Sequence, residues 1–375
     1  MITNWLRTRR HHISYKSFWH MVHIDLPLLA GLLVLIAVGL IILYSASNQN
    51  MDMVVRQSLR IGLAFIVMLV LAQISPRKYR SIAPWLFLFG IMLLIVVLVI
   101  GHIGKGAQRW LNLGIFRFQP SEIMKLVLPI TLAWYLHEKP LPPSKSALGI
   151  IALMMVIPVI LIAKQPDLGT ALLTAAAGIG VVLLAGIRWR LITIFFLFAA
   201  AFAPILWHFM HDYQRERVLT FLNPERDPLG SGYHIIQSKI AIGSGGFFGK
   251  GWLSGTQSHL QFLPEHATDF IFAVCGEEFG LIGAIILITI YCLIILRGFY
   301  ISLQAPDTFS RLLAGSLTLM FFVAVFVNIG MVTGILPVVG LPLPLVSYGG
   351  TSVVMVLACF GILMSIQTHR RLVRT

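Results

Sequence analysis

Acidic residues are scarce in this chain. Fourteen Asp and Glu stand against 28 Lys and Arg in 375 residues, and charge of both signs makes up only 11% of the sequence. An ordinary soluble domain carries roughly 25%, so no such domain remains once the apolar runs are removed. Cysteine is equally sparse. Cys275, Cys292 and Cys359 all fall in apolar segments, so they are expected to be small core residues outside any disulfide framework. No basic run is interleaved with aromatics, so the net charge of +14 does not describe a nucleic-acid surface. There is no internal repeat and no pair of broken helices of the kind that marks common secondary-transporter folds. What the chain has is hydrophobic sequence, 58% of the total. Runs of roughly 18 or more apolar residues recur along its length, as membrane spans require. The expected fold class is an all-α polytopic membrane protein.

Hydropathy predicts about ten spans, near 27–46, 61–74, 84–101, 122–136, 147–163, 168–186, 190–208, 269–296, 311–336 and 347–367. An even number places both termini on one side. Lys and Arg concentrate on the connections of that side, at Arg7, Arg9, Arg10 and Lys16, at Arg77, Lys78 and Arg80, and again at Arg370, Arg371 and Arg374. The positive-inside rule then makes the termini cytoplasmic and turns 102–121, 164–167, 209–268 and 337–346 outward. The basic head before the first span is too long for a secretory signal and lacks a small-residue cleavage site, so it is expected to be retained. Residues 1–375 read as a single transmembrane domain, with a cytoplasmic segment at 1–26, one large outer loop at 209–268 and a tail at 368–375. Within the loop, "IIQSKIAI" suits a helix lying along the membrane surface. "GSGGFFGKGW" looks like a phosphate loop, but Ser244 stands where the first glycine is needed and Gly251 replaces the final Ser or Thr.

Charges so rare in so apolar a chain single themselves out. Asp269 precedes a long apolar stretch at the outer boundary, beside the large loop, with Glu265 four residues earlier and on the same face if a helix starts at Pro264. Thr268-Asp269 is equally an ordinary helix cap. An outward carboxylate there suits a general base, or a ligand for a divalent cation beside a phosphate. Arg109 and Lys105 lie in an outer loop. Glu122 and Lys125, three apart after Pro120, are a first-turn acid with its partner, or a pair lining a cavity, since ionisable groups within a span cost several kcal/mol unless paired or wet. Asp167 in "KQPDLGT" is an N-cap that brings a third carboxylate to the same side. The uncharged, Pro- and Gly-rich stretch 334–352 is a stiff outer turn or a re-entrant hairpin, in which Ser347 and Tyr348 would offer hydroxyls to a polar ligand. Glu277 and Glu278 differ by about 100° around a helix, so one is expected to face the cavity and the other a neighbouring helix. His20, His23 and Asp25 suit an interfacial helix better than a zinc site. His266 has no partner at metal-ligand spacing.

Six of these segments, in order, carry a resemblance over nearly the whole chain: "KGAQRWLNLG", "RFQPSEIMK", "QPDLGT", "GYHIIQSKIAIGSGGFFGKGW", "FLPEHATDFIFAV" and "GILPVVGLPLPLVSYGG". The chain resembles the SEDS family of membrane proteins, and within it the elongation branch rather than the division branch. The resemblance implies a peptidoglycan glycosyltransferase that polymerises lipid II, an undecaprenyl-pyrophosphate-linked disaccharide pentapeptide, at the outer face of the bacterial cytoplasmic membrane. It implies a class B penicillin-binding protein as partner and membership of an elongation complex with the MreB cytoskeleton. It makes Asp269 catalytic and puts Glu122, Lys125 and Asp167 in one cavity. Close relatives often carry His immediately before the Thr-Asp pair, where this chain has Ala267, with His266 one place earlier.

An α-linked donor and a β-1,4-linked product imply inversion at the anomeric carbon, which needs a base on the acceptor hydroxyl. Asp269 is the expected base, with Arg109 and Lys125 on the pyrophosphate and Glu122 and Asp167 orienting them. Lys239 is expected to meet a second lipid pyrophosphate. A divalent cation, Mg²⁺ or Mn²⁺, is allowed for at Asp269 and Glu265, and no organic cofactor is expected. The alternatives are a lipid II flippase and a non-catalytic scaffold for the penicillin-binding protein.

Overall fold

The computed structural model describes residues 23–104, 107–112, 117–187, 212–226, 230–259 and 265–369, with isolated positions between 190 and 208. Within hydrocarbon a lone segment can satisfy its backbone only as a helix, and the apolar runs do so. In chain order they form α1 (Leu26–Ala46), α2 (Met51–Gln73), α3 (Pro76–Ile100), α4 (Pro120–Leu136), α5 (Lys145–Ala163) and α6 (Leu168–Leu184). There follow α7 (Asp212–Leu222), α8 (Ser231–Gly245) and α9 (Thr256–His259) in the large loop, then α10 (Ile271–Leu303), α11 (Thr308–Val332) and α12 (Thr351–Thr368). Seven of them, α1, α2, α3, α5, α10, α11 and α12, are long and apolar enough to cross a membrane, and α6 is a shorter apolar helix. With α4 they account for nine of the predicted spans. The tenth, 190–208, falls largely outside the described residues.

Boundaries shift where charge sits inside a helix. α2 starts at Met51, capped by Asn50, and carries Arg56 and Arg60, so hydropathy sees only its second half. α3 starts at Pro76 with Arg77, Lys78 and Arg80 in its first turns. α10 runs on to Leu303, and its Arg297 is held by Asp25, with Nη2 2.6 Å from Oδ2 and Nε 3.0 Å from Oδ1. Asp25 also caps α1 by accepting from Leu28 N. Of the "HMVHID" group, His20 lies outside the described residues, and His23 stacks on His369 at 3.8 Å between ring centroids.

α4 is buried along nearly its whole length, and α11 and α12 are mostly buried. The outer helices α1, α2, α3 and α5 turn most of their apolar surface outward, as lipid-facing helices do. An antiparallel sheet, beyond the all-α expectation, covers part of this bundle. It consists of β1 (His102–Gly104), β2 (Ala107–Asn112) and β3 (Arg117–Phe118), with His102 opposite Trp110 and Leu111 opposite Phe118.

Residues 337–350 are irregular, yet Leu341, Leu343, Leu345 and Val346 are buried. Backbone without helix or sheet must find other partners at this depth. Asn328 of α11 donates to Leu341 O, Tyr291 of α10 to Pro344 O, and Gln57 of α2 to Ser347 O while accepting from Gly349 N.

The expected surface helix "IIQSKIAI" is the body of α8, which packs against α10 with Ile235, Ser238 and Ala241 buried. Ser238 Oγ donates to Val332 O. The loop after α8 explains the phosphate-loop likeness. α10 breaks at Gly280 (φ 64°, ψ −159°). The carbonyls of Glu277 and Glu278, which a continuous helix would give to residues four ahead, accept instead from Lys250 N and Gly251 N. Leu281 N and Ile282 N donate to Gly246 O and Phe247 O. The glycines allow this approach: a Cβ on Gly249 would overlap the Glu278 carbonyl, and one on Gly280 would overlap Gly249 N.

Candidate active site

A cavity of about 210 Å³ opens between β2, α4, α6, α11, α12 and the irregular 337–350 segment. Arg109, Glu122, Lys125, Asp167 and Ser347, all singled out from the sequence, line it together with Gln119. Lys105 lies outside the described residues.

Each charged group has a defined anchor. Arg109 projects from β2 across the α5–α6 turn, donating through Nε to Gln165 O (3.2 Å) and through Nη2 to Pro166 O, while Nη1 lies 3.8 Å from Asp167 Oδ1. Asp167 caps α6 by accepting from Thr170 N, and its Oδ2 accepts from Gln119 Nε2 at 2.6 Å. Its capping role and its place in the cavity are thus one arrangement. Glu122 and Lys125 form a buried pair at 2.8 Å, one turn into α4. Glu122 Oε2 has no hydrogen-bond partner among the described residues. The ammonium, with donors to spare, suits an anionic group, and the buried carboxylate oxygen suits a hydroxyl or amide donor of the same ligand.

Asp269 stands at the rim. Its Oδ2 lies beside Gly340, 3.6 Å from where a Cβ there would sit, and Gly340 itself lines the cavity with φ 74°. The expected helix start at Pro264 is not what places it. Pro264 lies outside the described residues, residues 265–270 form turns, and α10 begins only at Ile271, with Phe270 at its N-cap position. The turn is held by its carbonyls. Ala267 O accepts from Tyr348 N, Thr268 O from Ser347 Oγ, and Asp269 O from Asn328 Nδ2. Three consecutive peptides are thus fastened to the irregular segment and to α11, which leaves the Asp269 side chain on a fixed base.

The other candidates are placed differently. Glu265 is exposed, with φ 52°, and its Oε2 accepts from Thr268 Oγ1 at 2.7 Å, so it braces the turn instead of sharing a helical face with Asp269. Ser347 spends its hydroxyl on Thr268 O and on Leu343 N. Tyr348 lies under the Arg60 guanidinium, 4.7 Å from the ring centroid. Lys239 is exposed on α8 and lies against Gly334, away from the cavity wall. Neither Glu277 nor Glu278 lines the cavity. Glu277 accepts from Lys250 Nζ, Thr256 N and Gln257 N, and Glu278 from Ser45 Oγ. Among the described residues no three His, Cys, Asp or Glu lie together, and Glu265 is turned to Thr268. Gln119 and Asn328 were not singled out from the sequence. The one available signal was a neutral amide inside otherwise apolar helical sequence at Asn328.

The chain is similar to proteins of one family over nearly its whole length. Residues 19–372 match the FTSW_RODA_SPOVE family, described as cell cycle proteins. The peptidoglycan glycosyltransferase MrdB of Escherichia coli K12 is 54% identical over 358 residues, covering 95% of this chain and 97% of that protein. A probable peptidoglycan glycosyltransferase FtsW of Geobacter sulfurreducens is 37% identical, covering 92% and 95%. Among solved structures, a chain of a peptidoglycan synthase complex that coordinates polymerization and crosslinking superposes with a TM-score of 0.82 at 35% identity, covering 93% of this chain and 98% of that one. The rod shape determining protein RodA of Thermus thermophilus superposes with a TM-score of 0.70 at 30% identity, covering 92% and 98%.

Proposed function

The chain belongs to the FtsW/RodA/SpoVE family and is a peptidoglycan glycosyltransferase of the rod-shape branch, and from that premise we propose how its cavity does the chemistry. The substrate is lipid II, with its sugar and pyrophosphate in the cavity and its prenyl tail in the surrounding lipid. Asp269 is the general base. It takes the proton from the 4-hydroxyl of the acceptor GlcNAc as that oxygen bonds to the donor's anomeric carbon. The bond from that carbon to the pyrophosphate breaks, its electron pair leaves with the pyrophosphate, and the α linkage becomes β. A positioned base contributes typically about 10²–10⁴-fold.

Arg109 and Lys125 neutralise the departing pyrophosphate, which makes a separate general acid unnecessary. Their orientation comes from partners described above: Asp167 for Arg109, and Glu122 for Lys125. Lys239, exposed on α8 and outside the cavity wall, suits the pyrophosphate of the second lipid. The excess of Lys and Arg on the termini's side supports cytoplasmic termini and an outward-facing cavity. The partner that fits the resemblance is a class B penicillin-binding protein, with the MreB cytoskeleton on the cytoplasmic side.

The observation that carries this reading is the fastened turn: a carboxylate on three anchored peptides beside a cavity lined with Arg109 and Lys125. The test is polymerisation of lipid II by the purified chain with its partner in detergent, with and without Asp269→Asn. Loss of polymer by about 10²-fold or more, with an unchanged melting temperature, is expected. Polymer at the wild-type rate from the variant would remove Asp269 from the chemistry and favour a scaffold. Movement of lipid II across vesicles with no polymer from either protein would favour a flippase.

A further inference from the structure

A second cavity, of about 350 Å³, lies at the opposite end of the bundle from Asp269. Arg80, His137, Asp307, Thr308 and Arg311 line it, with the Ala305–Pro306 turn as its floor. Three connections meet here: the first turns of α3, the last turn of α4, and the turn from α10 into α11. Its volume falls in the range of about 300–1,000 Å³ typical of small-ligand sites.

Its charge is lopsided. Neither Arg80 nor Arg311 makes a side-chain hydrogen bond or ion pair among the described residues. The one acid on the wall, Asp307, is occupied as the N-cap of α11, accepting from Ser310 N at 2.6 Å. Its charge therefore goes chiefly to the helix end. His137 is held through Nδ1 by Trp134 O, with Nε2 3.1 Å from Glu138. Two guanidinium groups thus face one small cavity with their donors uncommitted, an arrangement matched to a phosphate group.

The surroundings say what the phosphate is attached to. Two residues beyond Arg80, Ile82 begins an exposed apolar face that continues to Trp85, which is 73% exposed. Two residues before Ala305, Leu303 is 81% exposed. Both chain segments that form the cavity therefore pass directly into lipid-facing surface. An occupant with an anionic phosphate at one end and hydrocarbon at the other satisfies both. Basic pockets between transmembrane helices at the cytoplasmic end hold anionic lipid headgroups by this logic. We propose that the Arg80–Arg311 cavity is a binding site for the headgroup phosphate of an anionic glycerophospholipid, distinct from the site that handles lipid II.

Native mass spectrometry and thermal melting of the full chain, delipidated in mild detergent, test this with three probes: phosphatidylglycerol, phosphatidylcholine and inorganic phosphate. Phosphatidylglycerol is expected to remain bound and to raise the melting temperature, and phosphatidylcholine is not. The double variant Arg80→Gln, Arg311→Gln should weaken phosphatidylglycerol binding about thirtyfold, since each basic side chain near such a headgroup is worth about a factor of five to six. Arg80→Lys, Arg311→Lys should keep most of it. Exposed Arg77→Gln serves as the control and should change binding less than about twofold. Should the double variant fold poorly, Arg311→Gln alone, at an exposed position, reads out the same loss in part. Three results would overturn the proposal: unchanged phosphatidylglycerol binding in the Gln variants, an equal loss from Arg77→Gln, or stabilisation by inorganic phosphate with none from the lipid.

Discussion

Asn328 offers the sharpest test of how Asp269 is positioned. It is fully buried in α11, and its amide nitrogen donates to Asp269 O at 2.9 Å and to Leu341 O at 2.6 Å. One side chain thus ties the turn that carries Asp269 to the irregular segment that lines the cavity. Asn328→Leu keeps a similar volume and removes both donors. Each buried carbonyl left without a partner costs about 1–3 kcal/mol, so the local loss is about 2–6 kcal/mol if neither finds a replacement. Measured values inside membranes run lower, about 0.6 kcal/mol per bond on average, which sets a floor near 1 kcal/mol. Either figure is enough to loosen the turn without unfolding a bundle held by the remaining contacts. A displacement of about 1 Å at a reacting group costs roughly 10²-fold. The variant is therefore expected to polymerise lipid II about 10–10²-fold more slowly, chiefly through kcat, with KM changed less than about threefold and a melting temperature lower by about 2–5 °C. Asn328→Asp, which keeps the shape but removes the donors and adds a charge, should be worse still. Wild-type kcat from Asn328→Leu would show that the turn does not depend on this side chain, and the account of Asp269 as a fastened base would fail.

Two further outcomes follow from the packing. Lys125→Met leaves Glu122 buried without its cation, which costs about 3–5 kcal/mol; adding Glu122→Gln should restore the melting temperature but not polymerisation, because the cationic donor is still missing. Retained activity in that double variant would take Lys125 out of pyrophosphate binding. Gly280→Ala places a Cβ onto Gly249 N at φ 64°, and should reduce the yield of folded protein in detergent several-fold, as read by size-exclusion chromatography, whereas Gly62→Ala, with open space around it, should not.

Much of the architecture was legible because long apolar runs have one stable form in a membrane. The starts of α2 and α3 were hidden by Arg56, Arg60, Arg77, Lys78 and Arg80, since hydropathy windows treat a charge inside a helix as its end. Arg109, Glu122, Lys125 and Asp167 stood out for the opposite reason: a charge in apolar context is costly and draws the eye. The geometry of Asp269 was not legible. Four-residue spacing from Glu265 reads the same whether a helix begins at 264 or at 271, and only hydrogen bonds from residues 328, 347 and 348 decide it. Gln119 and Asn328 carry no charge and no spacing signal, so their roles emerge only from what lies across from them in space.

The break at Gly280 changes what holds α10 together. At that level the cylinder is spliced: four of its peptide groups are completed by residues 246–251, borrowed from about thirty positions upstream. The glycine-rich loop is in effect a missing turn supplied by another part of the chain. Deleting a single residue there would behave less like trimming a surface connection than like cutting a membrane helix in two.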